Sequence, residues 1–397
     1  MKILWYASQL IESGGGERFI FEISQELKNN GHEVQITCDI LDEEKIYDGK
    51  YDTKDVVSLN LNYKNETSYI KKSVMKFLGL NKIFREISSF KPDLIICQSE
   101  FDSIRLNLVT FFMKIPMRIF IFGQMFQFKS DISKYSLIFK KNLSSIIQKQ
   151  PDYINRLGPK PHFFREPIIF ITNEVISLLK YWSVRKAEKV FVLSNQVKTE
   201  VEILYKKSSE VLRGAIRRDN IKESDFEKCL PISENPIIVS CCRLDEKKRV
   251  DLIIKSFVSS NIKGELIIIG DGPEIGKLKE IARESVKKDS IKFLGRVSDN
   301  EKDLNIKYCD VFISMDNSDF VISGIEAIAK GKRVILSNHF DIGSFSNPIK
   351  GIKMIDPSLE SLSSLLDDLK SIDSPEKSNI HALDEITWEN AAKRLLD

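Results

Sequence analysis

The chain has 397 residues, 42% hydrophobic and 29% charged, a globular mix that excludes intrinsic disorder, collagen-like repeats and coiled-coil rods. At about 150 residues per domain, two or three domains with full cores are expected. Lys+Arg 60 against Asp+Glu 57 leaves a net charge of +3, too balanced for a dedicated nucleic-acid binder.

The start reads as strand, loop and helix: KILWYA is a buried-strand run, SQLIESGGG is polar and glycine-rich, and ERFIFEISQELKNN has helical spacing. Gly31 stops the helix and VQITCD follows as a second strand, so the first forty residues or so make a βαβ unit. KPDLIICQ, MRIFIFG and EKVFVLS are further strands, rich in β-branched and aromatic residues. The opening ILWYAS run is too short for a secretion signal. The apolar stretch from Leu106 to Phe126 is broken by Lys114, Pro116 and Arg118, short of the roughly 18 uninterrupted residues of a spanning helix.

Residues 71–90 combine Lys71, Lys72, Lys76, Lys82 and Arg85 with Val74, Phe77, Leu78, Leu80, Ile83 and Phe84. This basic amphipathic pattern suits an anionic bilayer surface, or equally a surface helix with its apolar side on the core. SLIFKKNLSSIIQKQ (136–150) repeats the composition, and residues 151–167, rich in proline and aromatics, read as an irregular loop.

A polar, proline-bearing stretch from Ile216 suits a linker. Beyond it PIIVSCC, ELIIIG, IKFLG, VFIS and RVILS are strands, alternating with the helical segments VDLIIKSFVSS, EIGKLKEIARESVKK and SGIEAIAKG. A second parallel α/β domain is therefore expected, with ligand at the carboxyl ends of its strands. Cys38, Cys97, Cys229 and Cys309 stand alone and Cys241 adjoins Cys242, with no CxxC pair, a pattern of reduced thiols in a cytosolic protein.

Gly14-Gly15-Gly16 lies between a strand and a helix opening with Glu17 and Arg18, where glycine lets backbone amides approach an anion. A dinucleotide fingerprint would need a third glycine where Phe19 stands, although Asp39 lies near the distance of a ribose-binding acid. An incidental loop is the third reading. Arg243 and Lys248 follow directly from the strand PIIVSCC, placing a guanidinium and an ammonium where a diphosphate could be gripped, or forming a solvated charge run. Ile269-Gly270-Asp271-Gly272-Pro273-Glu274 is then a strand-to-helix turn, and Gly295-Arg296-Val297 closes another strand.

In this order and spacing the motifs resemble the retaining GT-B glycosyltransferases, specifically glycosyltransferase family 4, also called glycosyl transferases group 1. GGGER, GHEV, KPDLIICQ and AEKVFVLSNQ resemble its amino-terminal half, EVLRGAI the entry to its interdomain linker, and RLDEKKRVD, GDGPE, FLGRV and GIEAIAKG its donor domain. Trp388 in ITWENAAKRL resembles its terminal helix. The resemblance implies an α/β GT-B fold: two Rossmann-like parallel-sheet domains facing a cleft, with a C-terminal helix crossing back to the N-terminal domain. The domains would be 1–215, a linker at 216–235, a nucleotide-sugar-binding domain at 236–378, and a returning helix at 379–397.

By the same resemblance Arg243 and Lys248 would hold the donor diphosphate and stabilise the leaving group, and Glu326, the second glutamate of an E-x7-E motif, would bind the donor ribose. Gly270, Gly272, Arg296 and Val297 would shape the nucleotide pocket together with Ser318, Asp319, Phe320, Val321 and Ile322. Gly15 and Gly16 would approach from the other domain.

Three positions depart from the pattern. The first glutamate of E-x7-E is Ser318, with Asp316 and Asp319 as nearby carboxylates. Val321 replaces a glycine, and a branched side chain resists close backbone approach. Where the family uses histidines in its amino-terminal domain, Ile96, Gln98 and Gln124 stand, leaving His162 as the histidine nearest a cleft.

The implied activity is retaining transfer from a nucleotide-sugar to a saccharide or lipid-linked glycan acceptor in cell-surface polysaccharide or glycoconjugate synthesis. The nucleotide-sugar is substrate, and no further cofactor, metal or nucleic-acid partner is expected. Localisation would be cytoplasmic, with peripheral contact to the inner membrane face through 71–90. The alternatives are a catalytically weak or inactive GT-B subunit that scaffolds a partner glycosyltransferase, and a GT-B sugar-nucleotide epimerase.

Overall fold

The computed structural model describes residues 1–11, 14–46, 51, 53–61, 63, 66, 69–123, 137–149, 167–227, 232–316, 321–339 and 349–397. They divide into two compact units, Met1–Arg213 with Ala392–Asp397, and Gly214–Ala391.

In the first unit the strands are β1 (Lys2–Leu10), β2 (Glu33–Leu41), β3 (Val56–Ser58), β4 (Leu94–Cys97), β5 (Met117–Ile121), β6 (Lys189–Val192) and β7 (Glu210–Val211). They form a parallel sheet in the order β3-β2-β1-β4-β5-β6-β7. The helices are α1 (Gly15–Asn29), α2 (Tyr69–Leu78), α3 (Leu80–Phe90), α4 (Glu100–Val109), α5 (Leu137–Lys149), α6 (Pro167–Lys186) and α7 (Asn195–Tyr205). Ile3, Leu4, Trp5 and Tyr6 are all buried, the continuous apolar run of a strand covered on both faces. Leu4 and Tyr6 join one core with Ile95, Ile119 and Val190. Trp5 points to the other face, where Phe19 and Phe120 meet edge-on at 4.7 Å and Phe120 stacks on Phe191.

β1 runs further than its apolar start suggests. Gln9 and Leu10 still pair with Ile40 and Leu41 of β2, so part of the polar segment expected as loop is strand. The amphipathic stretch 71–90 is two helices rather than one, broken at Gly79, where an added Cβ would lie 2.4 Å from Leu61 Cδ1. The short strands β3 and β7 were not visible in the sequence.

Asp39 is fully buried and receives Arg105 through both nitrogens, Nη1 to Oδ2 at 2.7 Å and Nη2 to Oδ1 at 3.1 Å. Tyr6 and Tyr63 donate their hydroxyls to the same carboxylate. A carboxylate so enclosed cannot serve a ribose, and the dinucleotide reading is corrected on that ground.

The second unit holds β8 (Ile237–Cys241), β9 (Glu265–Ile269), β10 (Ile291–Gly295), β11 (Val311–Ser314), β12 (Arg333–Ser337) and β13 (Ile352–Ile355). All are parallel in the order β10-β9-β8-β11-β12-β13. Its helices are α8 (Glu223–Glu227), α9 (Val250–Ser259), α10 (Ile275–Arg283), α11 (Asp299–Tyr308), α12 (Ile322–Ala329), α13 (Leu359–Asp367), α14 (Asn379–Asp384) and α15 (Trp388–Leu396). One core gathers Ile238 with Ile254, Leu278 and Leu362, the other Val239 with Ile306, Ile325 and Leu383, so helices cover both faces. Phe226, from the charged stretch after Ile216, is buried in the second core. Strand order reverses between β8 and β11, the point where open α/β sheets bind ligands at their carboxyl ends.

Ile216 bridges Thr387, and Trp388, buried, donates its backbone N–H to Ile216 O. The last residues of α15 belong to the first unit, where Arg118 donates to Leu395 O and Arg394 to Val211 O. The described residues thus form two Rossmann-like α/β units, and the fold is GT-B. Among them no helix is long and apolar enough to cross a membrane.

Candidate functional site

The loop that follows β8 is held by the turn after β9 almost entirely through backbone. Cys242 N donates to Ile269 O at 3.1 Å, Leu244 N to Asp271 O at 2.9 Å, and Glu274 N to Leu244 O at 3.0 Å. This approach needs the two glycines: an added Cβ would lie 1.9 Å from Cys242 O at Gly270 and 2.3 Å from Leu244 O at Gly272. Gly270 also has φ +130°, a region L side chains avoid. These glycines bring the Arg243–Lys248 loop into place, a role closer to the protein than the nucleotide contact expected of them.

Arg243 is exposed on that loop. Lys248, 22% exposed, donates from Nζ to Oδ2 of Asp316, a carboxylate only 2% exposed in the loop after β11. Burial, the largest single influence, lowers the Lys248 pKa, but the charge and hydrogen bond of Asp316 together with the nearby Cys242 and Asp245 outweigh it and the net shift is upward, so the ammonium stays charged. The next residue, Arg249, takes the left-handed conformation (φ 49°), and its Nη1 lies 3.0 Å from His339 Nδ1 beyond β12. Burial pulls the Arg249 pKa down, against the opposing charge of Asp316. Lys248, Arg249, Asp316 and His339 thus gather at the carboxyl edge of β8, β11 and β12.

A second ion pair forms at α12. Glu326 is buried, and Lys302 of α11 reaches both of its oxygens, at 3.2 and 3.1 Å. Glu326 is therefore not an exposed surface carboxylate of its helix. Ser323 Oγ donates to Cys241 O at 3.0 Å, tying the start of α12 to the end of β8. Cys241 and Cys242 stand between the two pairs: burial raises the Cys241 thiol to about 12, with Lys302 and Glu326 the strongest charges on it. Burial also raises Cys242, whose strongest charges are Lys248 and Asp316.

Arg296 is exposed on the turn after β10, while Val297 packs against the second core. Ser298 caps α11 by accepting from Glu301 N, which orients the helix that presents Lys302. Val321 is buried in the same core as Ile325 and Leu336, so its branched side chain fills protein interior rather than crowding an approach path. Ile322 opens α12, half-buried. Ser318, Asp319 and Phe320 lie outside the described residues, as do Gln124, His162, Cys229 and 151–166.

In the first unit Gly15 and Gly16 open α1 after the extended Gly14. An added Cβ at Gly16 would meet nothing within 4 Å among the described residues, so none of them requires glycine there. Gln98, at one of the positions lacking histidine, points Nε2 at Gly16 O (3.4 Å); Ile96, at the other, is buried core. Lys302, Arg249 and His339 were missed from sequence. Lys302 sits in a polar helix with no apolar stripe, and the partners of Arg249 and His339 are distant in the chain.

Residues 221–378 match the family Glycosyl transferases group 1 and form a domain of that kind. Alpha-monoglucosyldiacylglycerol synthase of Streptococcus pneumoniae is 28% identical over 151 residues, 37% of this chain and 33% of that protein. The chain thus matches about a third of the length of that curated relative. The crystal structure of Anabaena HepE in complex with UDP-glucose aligns over 100% of this chain and 98% of its own, with 14% identity and a TM-score of 0.65. A glycosyltransferase from Rickettsia africae aligns over 100% and 96%, with 17% identity and a TM-score of 0.64. At these identities the two structures speak for the fold alone.

Proposed function

We propose that the protein transfers a glycosyl residue from a nucleotide-sugar donor to a saccharide or lipid-linked glycan acceptor, with retention of anomeric configuration, as a family 4 glycosyltransferase. The observation that carries this reading is the Lys248 ammonium, kept charged by Asp316, at the point where strand order reverses in a Glycosyl transferases group 1 domain. A cation there offsets the charge that develops on a departing nucleoside diphosphate. Arg243, exposed on the same loop, supplies a second cation with a planar fork suited to phosphate. Glu326 would take the ribose hydroxyls, Arg296 and Val297 would border the base, and Gly16 would admit an anion to the start of α1.

The donor complexes of HepE favour a uridine diphosphate sugar, and the diacylglycerol synthase relative favours a lipid-borne acceptor. Contact of 71–90 with the inner face of a membrane belongs to the same reading: Val74, Leu78 and Phe84 are exposed there beside the basic residues.

The test is a panel of UDP-, GDP-, ADP- and dTDP-sugars with released diphosphate as readout, with and without a lipid-linked acceptor extract. Release with one donor is the expected outcome, and the anomeric configuration of the product tests retention. Silence across the panel with nucleotide still bound favours the second reading, a noncatalytic subunit that scaffolds a partner. That reading draws on Glu326, whose two oxygens both face Lys302 and would have to exchange that partner for a ribose.

A further inference from the structure

The solvent side of α6 carries Val175, Leu178 and Trp182, all exposed, at the i, i+3, i+7 spacing that puts them on one stripe. The opposite side is buried through Ile176, Ser183 and Val184. Asn107 Nδ2 donates to Ser183 Oγ at 2.6 Å, and Ser183 Oγ lies 2.7 Å from Ser103 Oγ, so buried hydrogen bonds clamp α6 to α4. At the end of α4 Leu108, Phe111 and Phe112 are exposed too, Phe112 to 89%. Lys186 joins the two groups, its Nζ 4.8 Å from the Phe111 ring centroid and 5.2 Å from that of Trp182.

Single exposed apolar residues need no explanation, but a cluster of large ones on two clamped elements marks an interaction surface. Its charge selects the partner. Residues 108–114 and 175–186 contain Lys114, Lys180, Arg185 and Lys186; of the two flanking carboxylates, Glu174 and Glu188, Glu188 is paired with Arg118, so cations outnumber acids around the patch. A second copy of the chain fits poorly, because a two-fold interface sets a patch against itself and would oppose these cations. Anionic lipid headgroups complement them, while lysine and arginine stems lie along the apolar surface with their charges in water, and a tryptophan ring suits the headgroup level.

We propose that the end of α4 and the Val175–Leu178–Trp182 stripe of α6 insert together into the surface of an anionic bilayer. This goes beyond the glycosyl-transfer reading and does not depend on the donor. It is also a different surface from 71–90.

The chain carries its own reporter. Of its three tryptophans, Trp5 and Trp388 are buried and Trp182 is 37% exposed. Vesicles of brominated phosphatidylglycerol should quench the protein's fluorescence, brominated phosphatidylcholine much less, and Trp182→Phe should abolish the quenching. The pair Phe112→Ser and Leu178→Ser should weaken partitioning onto phosphatidylglycerol vesicles at least tenfold at unchanged Tm. Vesicle binding without Trp182 quenching, unchanged partitioning of the double variant, or loss confined to Leu78→Ser in the 71–90 region would each overturn the proposal. A dimer in lipid-free solution that the double variant dissociates would overturn it in favour of self-association. UDP binding, measured on the same variants, separates this test from that of the transferase reading: it should not change.

Discussion

Gly272 lies so close to Leu244 that an added Cβ would stand 2.3 Å from its carbonyl oxygen and 2.8 Å from its nitrogen. Backbone cannot yield as a flexible side chain does. Gly272→Ala should therefore destabilise the protein by about 2–3 kcal/mol, through displacement of the loop that carries Arg243 and Lys248. Thermal unfolding reads the loss, and nucleotide affinity should fall with it.

Gly16→Ala makes the opposite prediction. With nothing within 4 Å of the added Cβ among the described residues and alanine the better helix former, Tm should hold or rise slightly. If an anion approaches the start of α1, turnover should still fall, at least tenfold. Full turnover in the variant would remove Gly16 from the donor site.

Asp316→Asn leaves the Lys248 ammonium without the carboxylate that offsets its burial. Losing one partner of a buried pair costs about 3–5 kcal/mol, and less here because Lys248 keeps 22% exposure. A loss of about 1–3 kcal/mol in denaturant unfolding is expected. Lys248→Ala should instead weaken UDP binding at least tenfold, and unchanged affinity would remove Lys248 from the diphosphate site.

The Asp39–Arg105 pair is fully buried on both sides. Arg105→Ala strands a carboxylate among Tyr6 and Tyr63 and should cost about 3–5 kcal/mol, a large share of a native stability of about 5–15 kcal/mol. Soluble yield and urea midpoint are the readouts, and a loss below about 1 kcal/mol would contradict the burial assigned here.

Cys241 gives a pH dependence. Its folded thiol is raised by burial from 9.0 to about 12, so the folded state holds the proton more tightly than the unfolded chain. The stability this contributes is complete below pH 9 and is lost as pH rises from about 9 towards 12. Tm should be flat from pH 7 to 8.5 and then decline, with a shallower decline in Cys241→Ser. Iodoacetamide at pH 8 should label Cys241 far more slowly than a model thiol.

Much of the fold was legible because its signals are local. Runs such as KILWYA and PIIVSCC read as buried parallel strands from a few consecutive apolar residues, and helix and strand alternate along the chain. The elements that escaped lack that signal. β3 and β7 are three- and two-residue edge strands, and α11 is a polar helix started by the Ser298 cap.

The candidate site divides along the same line. Arg243 and Lys248 were readable as cations directly after a strand, and Glu326 from the resemblance of its helix to a family motif. Their partners were not. Asp316 meets Lys248 and Lys302 meets Glu326 only because strand order places β11 beside β8 and α11 near α12. Whether Asp39 was a ribose ligand or half of a buried ion pair, and whether Val321 crowded a pocket or filled a core, depended on what surrounds each residue. By itself the sequence determined the parallel α/β architecture and the glycine-bounded turns, since these follow from periodicity and allowed backbone angles. Only the tertiary structure decided which charges are neutralised and which apolar side chains remain in water, because desolvation and pairing depend on neighbours distant in the chain.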